Sequence, residues 1–162
     1  MTFHEQPFSS RYGQMGDAAE RAFTDWCDEQ GLPYVRYGLS RPPISMKLLP
    51  ARIRHTPDFV QSRRFVECQG CGRDGVVKLK VEKWGALHHW DGIRTAMFDG
   101  VWLFIWDSHK KRSCILPLVG FDEMLNEQLA ELRYFHESKP YWAFPVDAVF
   151  EKASDAATRN AA

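Results

Sequence analysis

His55-Thr56-Pro57-Asp58-Phe59-Val60-Gln61-Ser62-Arg63-Arg64-Phe65-Val66-Glu67-Cys68-Gln69 is a pair of short apolar runs around a polar turn, Gln61 to Arg64, with one carboxylate in each run. Read as a strand, Arg64 to Gln69 splits its side chains with period two: Phe65, Glu67 and Gln69 share one face, Val66 and Cys68 the other. Pro57 suits the start of a strand or an edge. Pairing the two segments brings Asp58 and Glu67 together, with Gln69 one step beyond. Two hard oxygen ligands beside a polar amide suit a divalent cation that keeps several waters, which favours Mg²⁺ over Zn²⁺. The plainer alternative is a surface hairpin with solvated charges.

Upstream, Met15, Ala18, Ala19, Ala22, Phe23, Trp26 and Cys27 repeat at three and four. That is one amphipathic helix, with Asp17 as its expected N-cap and Gly31 as its stop. Glu20 borders the apolar stripe, and Asp17-x-x-Glu20 also reads as a capping-box variant. Residues 1–13 are polar and aperiodic, a loose arm. Tyr34 to Tyr37 reads as a strand ended by Gly38, Leu39 to Pro50 as a proline-rich loop, and Arg52 to Arg54 as a short strand.

Downstream, Gly70 to Gly75 is turn chemistry. Val77 to Trp90 reads as a second helix with Val77, Val81, Trp84 and His88 on its apolar side. On that wheel Lys80 points inward while Lys78 and Lys83 fall away; the alternative is that Lys80 snorkels. Val101 to Trp106 is a continuous apolar run, hence an interior strand covered on both faces. Arg112 to Leu118 is the next strand, Phe121 to Phe135 a third helix, and Pro140 to Val149 a flap or edge strand. Residues 151–162 read as a frayed tail. Cys68-x-x-Cys71 admits a zinc reading, with His88 and His89 as downstream candidates, but the spacing fits no standard finger.

A chain of 162 residues, 44% hydrophobic and 14% aromatic, is long enough for one well-packed domain. The formal net charge is zero, so the chain as a whole is no polycation. The charge is uneven, however: Arg36, Arg41, Lys47, Arg52, Arg54, Arg63 and Arg64 surround the lone acid Asp58. A basic segment around a metal-binding acid is what an anionic substrate needs; a solvated basic loop is the alternative. Four scattered cysteines and no signal peptide point to a reducing, cytoplasmic setting. No apolar run approaches the roughly 20 residues of a membrane helix.

Pro57-Asp58, eight residues, then Glu67-Cys68-Gln69 resembles the signature of the PD-(D/E)XK nuclease superfamily, with Gln69 where that family most often has lysine. The resemblance covers about Gly16 to Leu118. It implies a single α/β domain over residues 14–150, with a restriction-endonuclease-like mixed β-sheet flanked by helices. Small size makes the chain look like a phage-type or Holliday-junction-resolvase-like endonuclease, acting in DNA recombination or repair, in a host's cytoplasm if phage-encoded. By the same resemblance Asp58, Glu67 and the Cys68 carbonyl, with Glu20 assisting, hold Mg²⁺ or Mn²⁺. Gln69 positions water, and Lys80 supplies the displaced cation. The seven basic residues would grip DNA phosphates (RNA is not excluded), selecting shape rather than sequence, and a homodimer is allowed. The rivals are a nucleic-acid-binding domain of the same fold that has lost catalysis, which Gln69 favours, and a Cys68/Cys71 zinc module.

Overall fold

The computed structural model describes residues 8–38, 48–93, 95, 98–136 and 138–161. The chain folds as α1 (Phe8–Gln30), β1 (Tyr34–Arg36), α2 (Ala51–Arg54), β2 (Phe59–Gln61), β3 (Arg64–Cys71), β4 (Val76–Lys80) and α3 (Val81–Asp91). It continues with β5 (Val101–Asp107), β6 (Arg112–Pro117), α4 (Leu118–Asn126), β7 (Glu131–Tyr134), β8 (Pro140–Pro145) and α5 (Val146–Ala161). The fold class is the expected one, a mixed α/β domain. Its main sheet has the order β1-β2-β3-β5-β6, and β4-β8-β7 form a smaller second sheet.

The hairpin β2–β3 forms as expected, antiparallel, with Phe59 opposite Val66 and Gln61 opposite Arg64. β3 then pairs in parallel with β5. A parallel neighbour requires a crossover, and β4 and α3 make it. α3 therefore returns over the sheet instead of extending the hairpin. Alternation along β3 separates two cores. Val66 and Cys68 pack with Phe23 and Cys27 of α1 and with Phe59 and Phe104. Phe65 and Cys71 face the other side, with Leu79, Leu87, Leu103, Phe121 and Phe144.

α1 ends as its sequence predicts. Gly31 takes φ +64°, the Leu32 N–H donates to the Cys27 carbonyl (2.8 Å), and the Gly31 N–H donates to the Asp28 carbonyl (3.2 Å). That is the Schellman pattern, and it works because glycine has no Cβ to oppose the left-handed turn. The start differs: α1 begins at Phe8, inside the expected arm, so Asp17 is an interior residue and no cap.

Five further assignments differ. Arg52 and Arg54 lie on the short helix α2, not on a strand. Val76 to Lys80 is strand β4, because Val77 and Leu79 alternate with Lys78 and Lys80 and pair with Phe144 and Trp142 of β8. The third helix stops at Asn126, and Glu131 to Tyr134 pairs with β8 instead. β8 is the middle strand of the second sheet, neither a flap nor an edge strand, and the tail is helical to Ala161.

Candidate active site

Continuing the β2–β3 register one step beyond Phe59–Val66 sets Asp58 opposite Glu67, and opposed residues of an antiparallel pair share a face. The β2–β3 ladder itself ends at Phe59–Val66, and the Asp58 carbonyl faces β1, where it accepts the N–H groups of Tyr37 (2.8 Å) and Gly38 (3.1 Å). Cys68 has no ladder partner on β2, and the Asp58 side chain takes that place: its Oδ2 accepts the Cys68 N–H at 2.8 Å. The N–H and C=O of one strand residue project to the same side, so the Cys68 carbonyl shares that edge with Asp58.

Gly38 has room for no side chain here. A Cβ would lie 2.8 Å from the Pro57 carbonyl oxygen, 3.1 Å from that of Thr56 and 3.2 Å from the Asp58 Cα, all backbone. Gly38→Ala is expected to displace the Asp58 segment from its present place between β1 and β3, costing about 1–3 kcal/mol in urea unfolding. Wild-type stability and wild-type metal affinity together would show that the contact yields freely.

Glu67 is 2% exposed and faces α3, where the Lys83 ammonium forms an ion pair with its Oε1. Burial, partly offset by Lys83, raises the Glu67 pKa. Asp58 keeps some exposed surface, but its carboxyl sits deep among protein atoms. Burial first, and then the Glu67 charge, hold its pKa well above the usual range, against the pull of Lys83 and the Cys68 N–H. Two opposed carboxylates with one ammonium paired to Glu67 form a negative, oxygen-only donor set. With the Cys68 carbonyl they fit a divalent cation bound through two carboxylates and water.

The cysteines do not make a rival metal site. Three positions apart on one strand, Cys68 and Cys71 enter opposite cores. Burial raises both thiols, Cys71 to about 12, so neither is a ready thiolate. Among the described residues no three His, Cys, Asp or Glu side chains form a metal cage.

No protein-family model matches the chain, and no curated protein matches it. The fold is similar to that of a nuclease from a fusselovirus. The two chains are 6% identical, with a TM-score of 0.45 over 79% of this chain and 77% of that one. At that level of likeness the chemistry has to be read from the residues themselves.

Lys80 does not occupy the helical position expected of it. It ends β4 and flanks the first turn of α3, and the lysine brought onto Glu67 is Lys83. The inward face differs because Val76 to Asp91 is a strand followed by a helix, not one helix, so every residue of α3 takes a different azimuth from that of a continuous helix. Glu20 is also placed differently from the two central acids. It lies on α1, across the sheet from the Glu67 face, and pairs with Arg36. Its charge still raises the pKa of Asp58 and Glu67. Gln69 shares the Glu67 face and donates to the Gly70 carbonyl at 3.3 Å.

The basic residues are largely engaged by protein. Besides Arg36 on Glu20, Arg54 pairs with Glu82, and Arg63 with Asp99 at 3.2 Å. Arg64 donates to Gln61 (2.7 Å) and lies over the Trp102 ring. Arg52 is exposed on α2, while Arg41 and Lys47 lie outside the described residues. His55 had no role in the sequence reading. Burial, and then Lys83, bring its pKa down to about 4, and its Nε2 is buried without a hydrogen-bond partner. The ring is therefore neutral at pH 7, so its 3.8 Å approach to Glu82 is no ion pair. Beside Glu67 the fixed cation is Lys83.

Proposed function

We propose that the chain is a metal-dependent nuclease that hydrolyses phosphodiester bonds in DNA, acting as an endonuclease that selects shape over sequence. The observation that carries this reading is the opposed pair Asp58 and Glu67 on the β2–β3 hairpin, with the Lys83 ammonium on Glu67. A bound Mg²⁺ or Mn²⁺ supplies Lewis-acid charge at the phosphate and makes water more acidic. Asp58, Glu67 and the Cys68 carbonyl would hold it, with Glu20 adding negative charge from α1. Lys83 places a fixed cation, in a largely dehydrated setting, where the pentavalent phosphate develops charge. Gln69, next along the same face, orients water through its amide.

The rival reading, a nucleic-acid-binding domain of the same fold that has lost catalysis, rests on Gln69, and Lys83 beside Glu67 supports the catalytic one. The cation missing at Gln69 is supplied from α3, so the substitution by itself does not remove the positive charge.

Labelled linear, flap and four-way-junction DNA, incubated with the protein in Mn²⁺ and in EDTA, tests the reading. Cleavage of at least one substrate in Mn²⁺ and of none in EDTA is expected. Cleavage that persists in EDTA, or binding without cleavage in either Mg²⁺ or Mn²⁺, would overturn it.

A further inference from the structure

β7 is an edge strand: among the described residues it pairs with β8 alone, and all four of its residues are exposed. Its register sets Leu132 opposite Trp142, which in turn stands opposite Leu79 of β4. Leu132 and Tyr134 therefore continue the core-bearing face of the second sheet, yet they are 45% and 63% exposed. The apolar face runs past the edge of its own core into solvent.

The other face of β7 carries Glu131 and Arg133, bonded to each other at 2.9 Å. Proteins discourage edge-to-edge pairing with lysine, proline or inward-pointing charge. β7 has no lysine or proline, and its two charges are opposite in sign and placed symmetrically about Leu132. In an antiparallel pairing of two copies with Leu132 opposite Leu132, each Arg133 stands opposite Glu131 of the other copy. The same register puts Tyr134 diagonal to Leu132 of the other copy, within reach of a ring. A two-fold interface requires such a self-complementary pattern, in which residue i meets j and j meets i.

We propose that β7 is a homodimer seam, through which two copies of this chain join their second sheets edge to edge. The occupant is a second copy rather than an unrelated peptide because a two-fold axis through Leu132 makes the charges of this strand complementary to themselves. The seam is independent of the chemistry at Asp58 and Glu67.

Sedimentation velocity over a concentration series tests this. The wild type is expected to be a reversible dimer at high micromolar concentration. Arg133→Glu leaves two pairs of facing acids and should weaken association by about tenfold or more. The double variant Glu131→Arg, Arg133→Glu reverses both charges, restores opposite pairs, and should dimerise to within a few-fold of wild type. Leu132→Lys sets two ammonium groups face to face and should give a monomer by a separate route. All these positions are exposed, and far-UV circular dichroism checks that each variant folds. A monomeric wild type would overturn the proposal. So would undiminished dimerisation of both Arg133→Glu and Leu132→Lys, or a folded double variant that fails to recover.

Discussion

Asp58→Asn is expected to abolish metal-dependent cleavage and, at neutral pH in EDTA, to make the protein more stable. The asparagine keeps an oxygen for the Cys68 N–H and removes the charge that faces Glu67. An unfolded aspartate ionises near pH 4. The folded Asp58 carboxyl is held well above that by burial and by Glu67. Between those two values the native state retains a proton that the unfolded chain has released, so this group's stability contribution is lost as pH rises through the window.

Asparagine has no proton to lose, so the advantage of the variant grows from acid to neutral pH and vanishes near pH 4. Each kcal/mol gained should raise the melting temperature by about 2–4 °C in a chain of this size. Mg²⁺ should raise the melting temperature of the wild type and not of the variant. Cleavage should fall by roughly 10³-fold, since one of two anchoring charges is gone. A variant that cleaves like wild type would remove Asp58 from the site. A variant less stable than wild type at pH 7.5 in EDTA would show that the carboxylate is not strained there.

Lys83→Met carries the second large effect, and here stability and activity fall together. Lys83 is 15% exposed and the Glu67 side chain 3%, so losing the ammonium leaves a buried carboxylate without its cation. Breaking such a pair from one side costs about 3–5 kcal/mol. Protonation of Glu67 offsets part of that cost, so the loss should be smaller at pH 6 than at pH 8 in EDTA. Adding Glu67→Gln removes the orphaned charge and should recover much of the stability but none of the activity, which separates the counter-ion role from the chemistry.

In single-turnover cleavage, Lys83→Met should be slower by roughly 10²-fold or more, the size of effect seen when a group stabilising transition-state charge is removed. Lys80→Met should have a smaller effect on both measures. Equal losses of cleavage from the two substitutions would sink the assignment of the transition-state cation to Lys83.

The hairpin was legible in residues 55–69 because period-two alternation and a polar turn are local signals. Asp58 and Glu67 converge for a reason the register makes plain: they are opposite one another one step past the last ladder pair. The strands β5 and β6 and the C-terminal stop of α1 were equally local, set by an unbroken apolar run and by a glycine in the left-handed region. The helix that carries the cation was not legible. Val77-Lys78-Leu79-Lys80 alternates like a strand, while Val77, Val81 and Trp84 keep helical spacing, and one sequence satisfies both patterns.

What the sequence by itself determined is the α/β class, the paired carboxylates on the β2–β3 hairpin and the two-sided burial of its neighbour β5. Each depends on side chains a few residues apart, whose spacing sets which face they take. The tertiary structure alone decided that Val76 to Lys80 is a strand, because its partner Pro140 to Pro145 lies far along the chain and pairing with it outweighs local helical preference. That single pairing delays the start of α3 to Val81, sets the helix's azimuth on the crossover and turns Lys83, not Lys80, onto Glu67. It likewise decided that Arg36, Arg54 and Arg63 meet Glu20, Glu82 and Asp99, since ion pairs between distant elements form only after the backbone has brought them within reach.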